Sequence, residues 1–247
     1  MAPGQNLFKF SFRELASKLT RRVKHFSSPL THTLLTWVRF SKSYDRPGFP
    51  SDNKLIMIKG ETKPWFTYPA IELLDSFDIE FFSVFEWGSG NSTSYFNNRN
   101  CKTLSIESDL RWAKSQLINS ASSIKFVMNL EEYVSALIDS KCDWDIVLID
   151  GEQRAACAIA FVEYLKTFKT KLLIFDNSNW FPNAAAHLIQ ATGWIPLSLN
   201  GFGPVNNYPF QTLFLINPSW IPSVVADQKP LGSSVWKNPE DLQSDKS

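Results

Sequence analysis

The sequence predicts an α/β protein built on a doubly wound sheet, and three observations carry that prediction. Short apolar runs alternate with longer amphipathic stretches through the middle of the chain. The runs are apolar enough for burial on both faces, as parallel strands joined by helical crossovers are. The last two runs are linked by a Gly- and Pro-containing loop with no room for a crossover helix, so they should pair antiparallel.

In order, the strand candidates are Ser83 to Trp87, Thr103 to Glu107, Ile124 to Met128, Asp145 to Ile149 and Leu172 to Phe175, with helix-like stretches between most of them. The antiparallel pair is Trp194 to Leu199 and Gln211 to Ile216, which makes seven strands. This α/β domain is expected over residues 47–217. Its start lies in the linker-like stretch Tyr44 to Pro50, punctuated by Pro47, Gly48 and Pro50. Residues 1–46 form a basic extension, with Lys9, Arg13, Lys18, Arg21, Arg22, Lys24, Arg39, Lys42 and Arg46 set against Glu14 and Asp45. Between Phe8 and Val38 the apolar spacing partly fits an amphipathic helix, either packed on the main domain or lying on an anionic membrane or a protein partner. Residues 218–247, rich in Pro, Ser, Asp and Lys, read as a flexible tail.

Composition bounds the class. With 247 residues, 44% hydrophobic and 20% charged, the chain reads as an ordinary globular protein with one main domain. A formal net charge of +1 gives no overall field suited to gripping nucleic acid, so nucleic acid is not expected as a partner. Cys101, Cys142 and Cys157 contain no CxxC pair, which argues against a disulfide framework or a zinc site and fits a reducing, cytoplasmic compartment. No apolar run approaches the roughly 20 residues that span a bilayer, and no signal-peptide core is evident, so the protein is expected to be soluble or peripheral at a membrane. His25, His32 and His187 are scattered, and His187 reads as a helix residue.

The stretch "VFEWGSGNSTSYF" breaks on Gly88 and Gly90 between a strand and a helix. Glycine lets the backbone turn sharply and approach a ligand, and the helix that follows would offer free N–H groups to it. In a doubly wound sheet, ligands collect at this edge. Thr93 stands where a third glycine would complete a dinucleotide fingerprint, and no Gly-Lys-Ser/Thr follows, so neither a pyrophosphate cradle nor a phosphate loop is signalled. As an isolated feature the loop could be only a turn. Glu107, seventeen residues beyond Gly90, ends the second strand where a carboxylate accepts both ribose hydroxyls of an adenosine. The alternative for Glu107 is the first-turn acid of the next helix, beside Ser108 and Asp109.

Glu86-Trp87-Gly88-Ser89-Gly90-Asn91-Ser92, then Glu107, then "DWDIVLIDG" ending at Gly151, resembles the class I S-adenosylmethionine-dependent methyltransferases over roughly Pro64 to Ile216. "PWFTYPAIELL", "IDGEQRAACA", "DNSNW" and "GFGPVNNY" are similar to a little-described subgroup of that superfamily. The resemblance implies a Rossmann-like sheet of order 3-2-1-4-5-7-6, mostly parallel with an antiparallel last strand. It implies S-adenosylmethionine as cofactor, held by Glu86, Gly88, Ser89, Gly90, Asn91, Ser92, Glu107 and Asp150, with Met128 or Asn129 bordering adenine. Trp65, Thr67 and Tyr68 would close over the cofactor or be core aromatics and their neighbour. The acceptor is expected to be a small molecule, a sugar or a lipid-linked compound. The alternative is a non-catalytic adaptor of the same fold.

Methyl transfer from a sulfonium asks mainly for alignment, exclusion of water and, for some acceptors, a base. Asp150, Arg154 and Asp176 are the candidate catalytic residues, with Asp150 as base or acceptor anchor and Arg154 as a bidentate partner for an acidic acceptor or an exposed charge. Asp150, Asp176 and Asn177 are similar to the metal-binding Asp, Asp and Asn of catechol-type O-methyltransferases. A lysine expected after the first Asp is replaced by Gln153 and Arg154, so metal is not favoured. Trp180, Phe202, Asn206 and Tyr208 would form an apolar lid, or the last of these stretches is simply a hairpin turn.

Overall fold

A computed structural model describes residues 29–44, 57–58, 60–120 and 124–225. The chain divides into two units, and each is described by itself. The first contributes one described element, helix α1 (Pro29–Tyr44). The rest of the basic extension lies outside the described residues.

The second unit begins with β1 (Met57–Ile58) and β2 (Glu61–Thr62), a small antiparallel hairpin turning at Gly60, whose φ is +84°. With two residues per strand, this hairpin carries no period that a sequence pattern could show. Helix α2 (Tyr68–Ser76) leads to β3 (Ser83–Trp87), α3 (Asn91–Asn97), β4 (Lys102–Glu107), α4 (Leu110–Ser120) and β5 (Ile124–Phe126). Then come α5 (Leu130–Asp139), β6 (Ile146–Ile149), α6 (Arg154–Tyr164), β7 (Leu172–Asp176), a 3₁₀ turn at Ser178–Trp180 and α7 (Pro182–Thr192). The chain closes with β8 (Ile195–Gly201) and β9 (Phe210–Ile216).

The seven strands from β3 onward form one sheet in the order β5-β4-β3-β6-β7-β9-β8. Numbered from β3, this is the expected 3-2-1-4-5-7-6. All strands run parallel except β9, which is antiparallel to both β7 and β8. β6 and β7 are buried at every position, as central strands covered on both faces should be. One layer of the core joins Phe85, Trp87, Val147, Ile149, Leu173 and Phe175 to Tyr133, Phe161 and Leu188 on the covering helices. Helix ends follow local chemistry. Asp109 Oδ1 accepts the N–H groups of Arg111 and Trp112, Pro182 opens α7, and Gly193 closes it at φ +62°. His187 is an exposed residue of α7.

The expected flexible tail is tied down at its start. Trp220 packs edge-on against Phe77 and Phe82, and Val225 N–H donates to the Ser76 carbonyl. Residues 226–247 lie outside the described residues.

In this order the chain leaves β3 toward β4 on one side and returns to β6 on the other. Their carboxyl ends therefore diverge into a crevice, the topological switch point of the sheet.

Candidate active site

A cleft of about 350 Å³ opens at that switch point, within the size range of small-molecule sites. A larger hollow of about 700 Å³ lies at the opposite ends of β6 and β7, around Trp144, Lys171 and Trp194. It gathers none of the candidate catalytic, cofactor-binding or metal residues, so the smaller cleft is the candidate.

The glycine loop forms one wall, and its two glycines do different work. A Cβ on Gly88, at φ +101°, would lie 3.0 Å from Gly151 N and 3.1 Å from Asp150 C. A Cβ on Gly151 would meet Tyr133 Oη at 2.0 Å and Gly88 N at 2.7 Å. The loops after β3 and β6 thus touch backbone to backbone, and Gly88 is needed for that contact. Gly90 turns at φ +154°, and a Cβ there would meet the Trp112 ring at 3.5 Å.

Thr93 has a specific reason to stand in place of a third glycine. Its hydroxyl accepts the Gly90 N–H at 3.0 Å and donates to Glu86 Oε2 at 2.7 Å. Ser105 Oγ donates to the same oxygen and Ser92 Oγ to Oε1. Glu86 is therefore a fully buried peg under the loop and does not line the cleft, which corrects its expected place around the cofactor. Burial pushes its carboxyl up to about 7, against the pull of the three hydroxyls. The Gly90 N–H is spent inside the loop.

Ser89, Asn91, Ser92 and Glu107 do line the cleft. Glu107 serves the start of the next helix through Oε1, which accepts Ser108 and Asp109 N–H at 2.8 and 2.9 Å, while Oε2 accepts the Ser89 hydroxyl at 2.7 Å. Three donors fix the carboxylate, and a carboxylate has about four acceptor positions, so a position remains for a ligand. Asn91 Nδ2 donates to the Lys63 carbonyl, and Lys63 Nζ is buried on Asp75 at 2.7 Å. This ties the segment carrying Trp65 to the start of α3. Trp65 lines the cleft edge-on to Trp112, and its buried Nε1–H finds no hydrogen-bond partner among the described residues.

Other residues expected around the cofactor lie away from the cleft. Asn129 caps α5, its Oδ1 accepting the N–H groups of Glu131 and Glu132, and Met128 is exposed; neither reaches the cleft. Thr67 and Tyr68 are buried away from it, Thr67 joining a relay in which Thr212 Oγ1 accepts the Thr67 N–H and donates to Asp176 Oδ1 at 2.6 Å.

Asp150, Arg154, Asp176 and Asn177 meet on the opposite wall. Arg154 is neither an exposed charge nor free for an acidic acceptor. Nε donates to the Gly151 carbonyl, Nη1 to the Asp176 carbonyl and Asn177 Oδ1, and Nη2 to the Asp150 carbonyl and Oδ1. A guanidinium has five N–H donors, and all are used. The side chain, 14% exposed, latches the end of β6 to the end of β7. Two left-handed residues, Gln153 and Asn177, both at φ +51°, turn the chain to allow it. Of the three residues similar to a metal site, Arg154 engages oxygens of Asp150 and Asn177, and Thr212 engages Asp176. Among the described residues no group of three or more His, Cys, Asp and Glu is placed to hold a metal. Burial raises the Asp150 carboxyl above its ordinary range while Arg154 pulls it down; Asp176 is raised further, by burial and then by Asp150.

The mouth is bounded by Trp180, Val205, Asn206 and Tyr208, so the loop after β8 is both a hairpin connection and a cleft wall; Phe202 instead accepts the Tyr68 N–H through its carbonyl. Trp112 and Gly151 were missed as site residues. Trp112 sits one turn past Asp109, a readable cap, and donates Nε1–H to the Ser89 carbonyl at 2.6 Å.

No family model matches the chain, and no curated protein matches it in sequence. Solved structures similar to it include the O-methyltransferase TomG of Streptomyces achromogenes in complex with SAM, 14% identical, over 61% of this chain and 77% of that one, with a TM-score of 0.45. A Bacillus cereus O-methyltransferase in complex with SAH is 12% identical over 82% and 97%, at 0.44. A Methanococcus jannaschii fibrillarin pre-rRNA processing protein is 14% identical over 69% and 86%, at 0.43. The last one removes an expectation: the near-zero net charge was read as excluding nucleic acid, and with a pre-rRNA processing protein among the similar structures that exclusion is withdrawn.

Proposed function

We propose that the chain is a methyltransferase using S-adenosylmethionine as methyl donor. One observation carries the reading: the Glu107 carboxylate is fixed by three donors in a cleft walled on one side by the glycine loop, with an acceptor position left over. The cleft's residues fit the donor. There is room for it, Glu107 suits a ribose diol, the Trp65 N–H lacks a partner, and Trp65 and Trp112 supply flat apolar walls. When bound, the donor supplies a methyl group on a sulfonium that leaves as a neutral thioether.

The protein's own work is then alignment and proton handling. Glu107 accepts ribose hydroxyls, with Ser89 Oγ able to turn and make way. The rings of Trp65 and Trp112 keep water from that side. Asp150, 22% exposed and facing the cleft, takes a proton from an acceptor O–H or N–H. Its raised affinity for a proton makes it a better base near neutral pH than an ordinary aspartate. Arg154 is a positioning residue, holding Asp150 in register with the β7 loop. Acceptors enter between Trp180 and Tyr208, whose exposed rings suit a planar or sugar ring, free or carried on lipid or a larger molecule.

Calorimetric titration with S-adenosylmethionine and S-adenosylhomocysteine tests the reading. Saturable binding is expected in the wild type. Glu107→Ala should weaken it about tenfold or more, from lost charge-assisted hydrogen bonds. Absence of binding in the wild type, or equal binding by the variant, refutes it.

A further inference from the structure

Helix α1 presents Leu30, Leu34 and Trp37 at 74, 57 and 60% exposure. These positions are spaced i, i+4, i+7 and share one face. Phe40 and Tyr44, with ring centroids 4.8 Å apart, continue along its side. The 16-residue helix contains no Asp or Glu but does contain Arg39 and Lys42. Residues 1–28 add Lys9, Arg13, Lys18, Arg21, Arg22 and Lys24 against Glu14 alone.

Each half of this pattern is unselective. An apolar stripe fits any apolar partner, and a cationic segment fits any polyanion. Together they select a surface that is anionic outside and apolar beneath, which is the headgroup and upper acyl layer of a bilayer containing acidic lipid. RNA would satisfy the cations and leave Leu30 and Leu34 in water. Among the described residues no helix is long and apolar enough to cross a membrane, so α1 would lie in the plane of the surface. We propose that α1 docks this chain peripherally on anionic lipid bilayers, with Leu30, Leu34 and Trp37 entering the headgroup–acyl boundary. The proposal is independent of the methyl-transfer reading.

The test is co-sedimentation of the full chain with vesicles of phosphatidylcholine, alone or with about one third phosphatidylserine. The wild type should pellet with the anionic vesicles, stay in solution with the neutral ones, and be released as salt rises. Leu34→Glu with Trp37→Glu should abolish pelleting. Leu30→Ser with Leu34→Ser, which adds no charge, should also lose most of it. Arg39→Gln and Lys42→Gln should each weaken binding roughly fivefold. An unchanged urea midpoint of the α/β unit shows that each variant is folded. The proposal is overturned if the wild type does not pellet, if the Leu34 variants pellet like the wild type, or if neutral vesicles bind as well as anionic ones.

Discussion

Replacing Arg154 by methionine removes all five hydrogen bonds that join the end of β6 to the end of β7. The carbonyl oxygens of Asp150, Gly151 and Asp176, the Asn177 amide oxygen and the Asp150 carboxylate all lose this donor. Deleting one partner of a buried, hydrogen-bonded ion pair costs about 3–5 kcal/mol, mostly because the remaining charge is left uncompensated. With Arg154 14% and Asp150 22% exposed, water recovers part of this, and about 3 kcal/mol is the expected loss. Arg154→Lys keeps the charge but has three donors in place of five, so about 1–2 kcal/mol is expected. Urea unfolding followed by tryptophan fluorescence at constant m-value measures both. The sign with pH follows from Asp150. Without Arg154 its proton is held more tightly, so charging it costs more, and the penalty of Arg154→Met should be larger at pH 8 than at pH 5. A loss below about 1 kcal/mol, or one independent of pH, would show that the latch is an ordinary surface contact.

Glu86 gives a second pH test. Its folded carboxyl titrates at about 7 against 4.5 in the unfolded chain, so its stabilising share is full below 4.5 and lost as pH rises through 7. That difference corresponds to about 3 kcal/mol. Glu86→Gln should flatten the stability profile between these pH values and raise stability relative to wild type above pH 7; a parallel profile in the variant refutes this. Gly151→Ala should destabilise by about 1–3 kcal/mol, since its Cβ would fall 2.0 Å from Tyr133 Oη and 2.7 Å from Gly88 N. Adding Tyr133→Phe should recover only part of that loss, because the backbone contact remains; full recovery in thermal melts would mean the Gly88–Gly151 contact is not tight.

What could be read from the sequence depended on how local the cause was. The sheet was legible because β3, β6 and β7 are buried on both faces and so write continuous apolar runs, and the absent crossover before Gln211 betrays the antiparallel strand. Glu107 was legible because strand end and loop spacing are both linear properties. Arg154 was named but misread, since a guanidinium looks the same in sequence whether it faces a substrate or five oxygens brought together by two left-handed turns at Gln153 and Asn177. Glu86 was misread for the same reason in reverse: its three hydroxyl donors come from Ser92, Thr93 and Ser105, and Ser105 is on the neighbouring strand, a pairing that only the register of β3 with β4 creates. The acid of the glycine loop thus acts through Thr93 and Gly90, by holding the loop's shape. A carboxamide of the same shape, as in Glu86→Gln, should therefore leave the cleft able to bind while removing the titration, which separates holding the loop from touching the ligand.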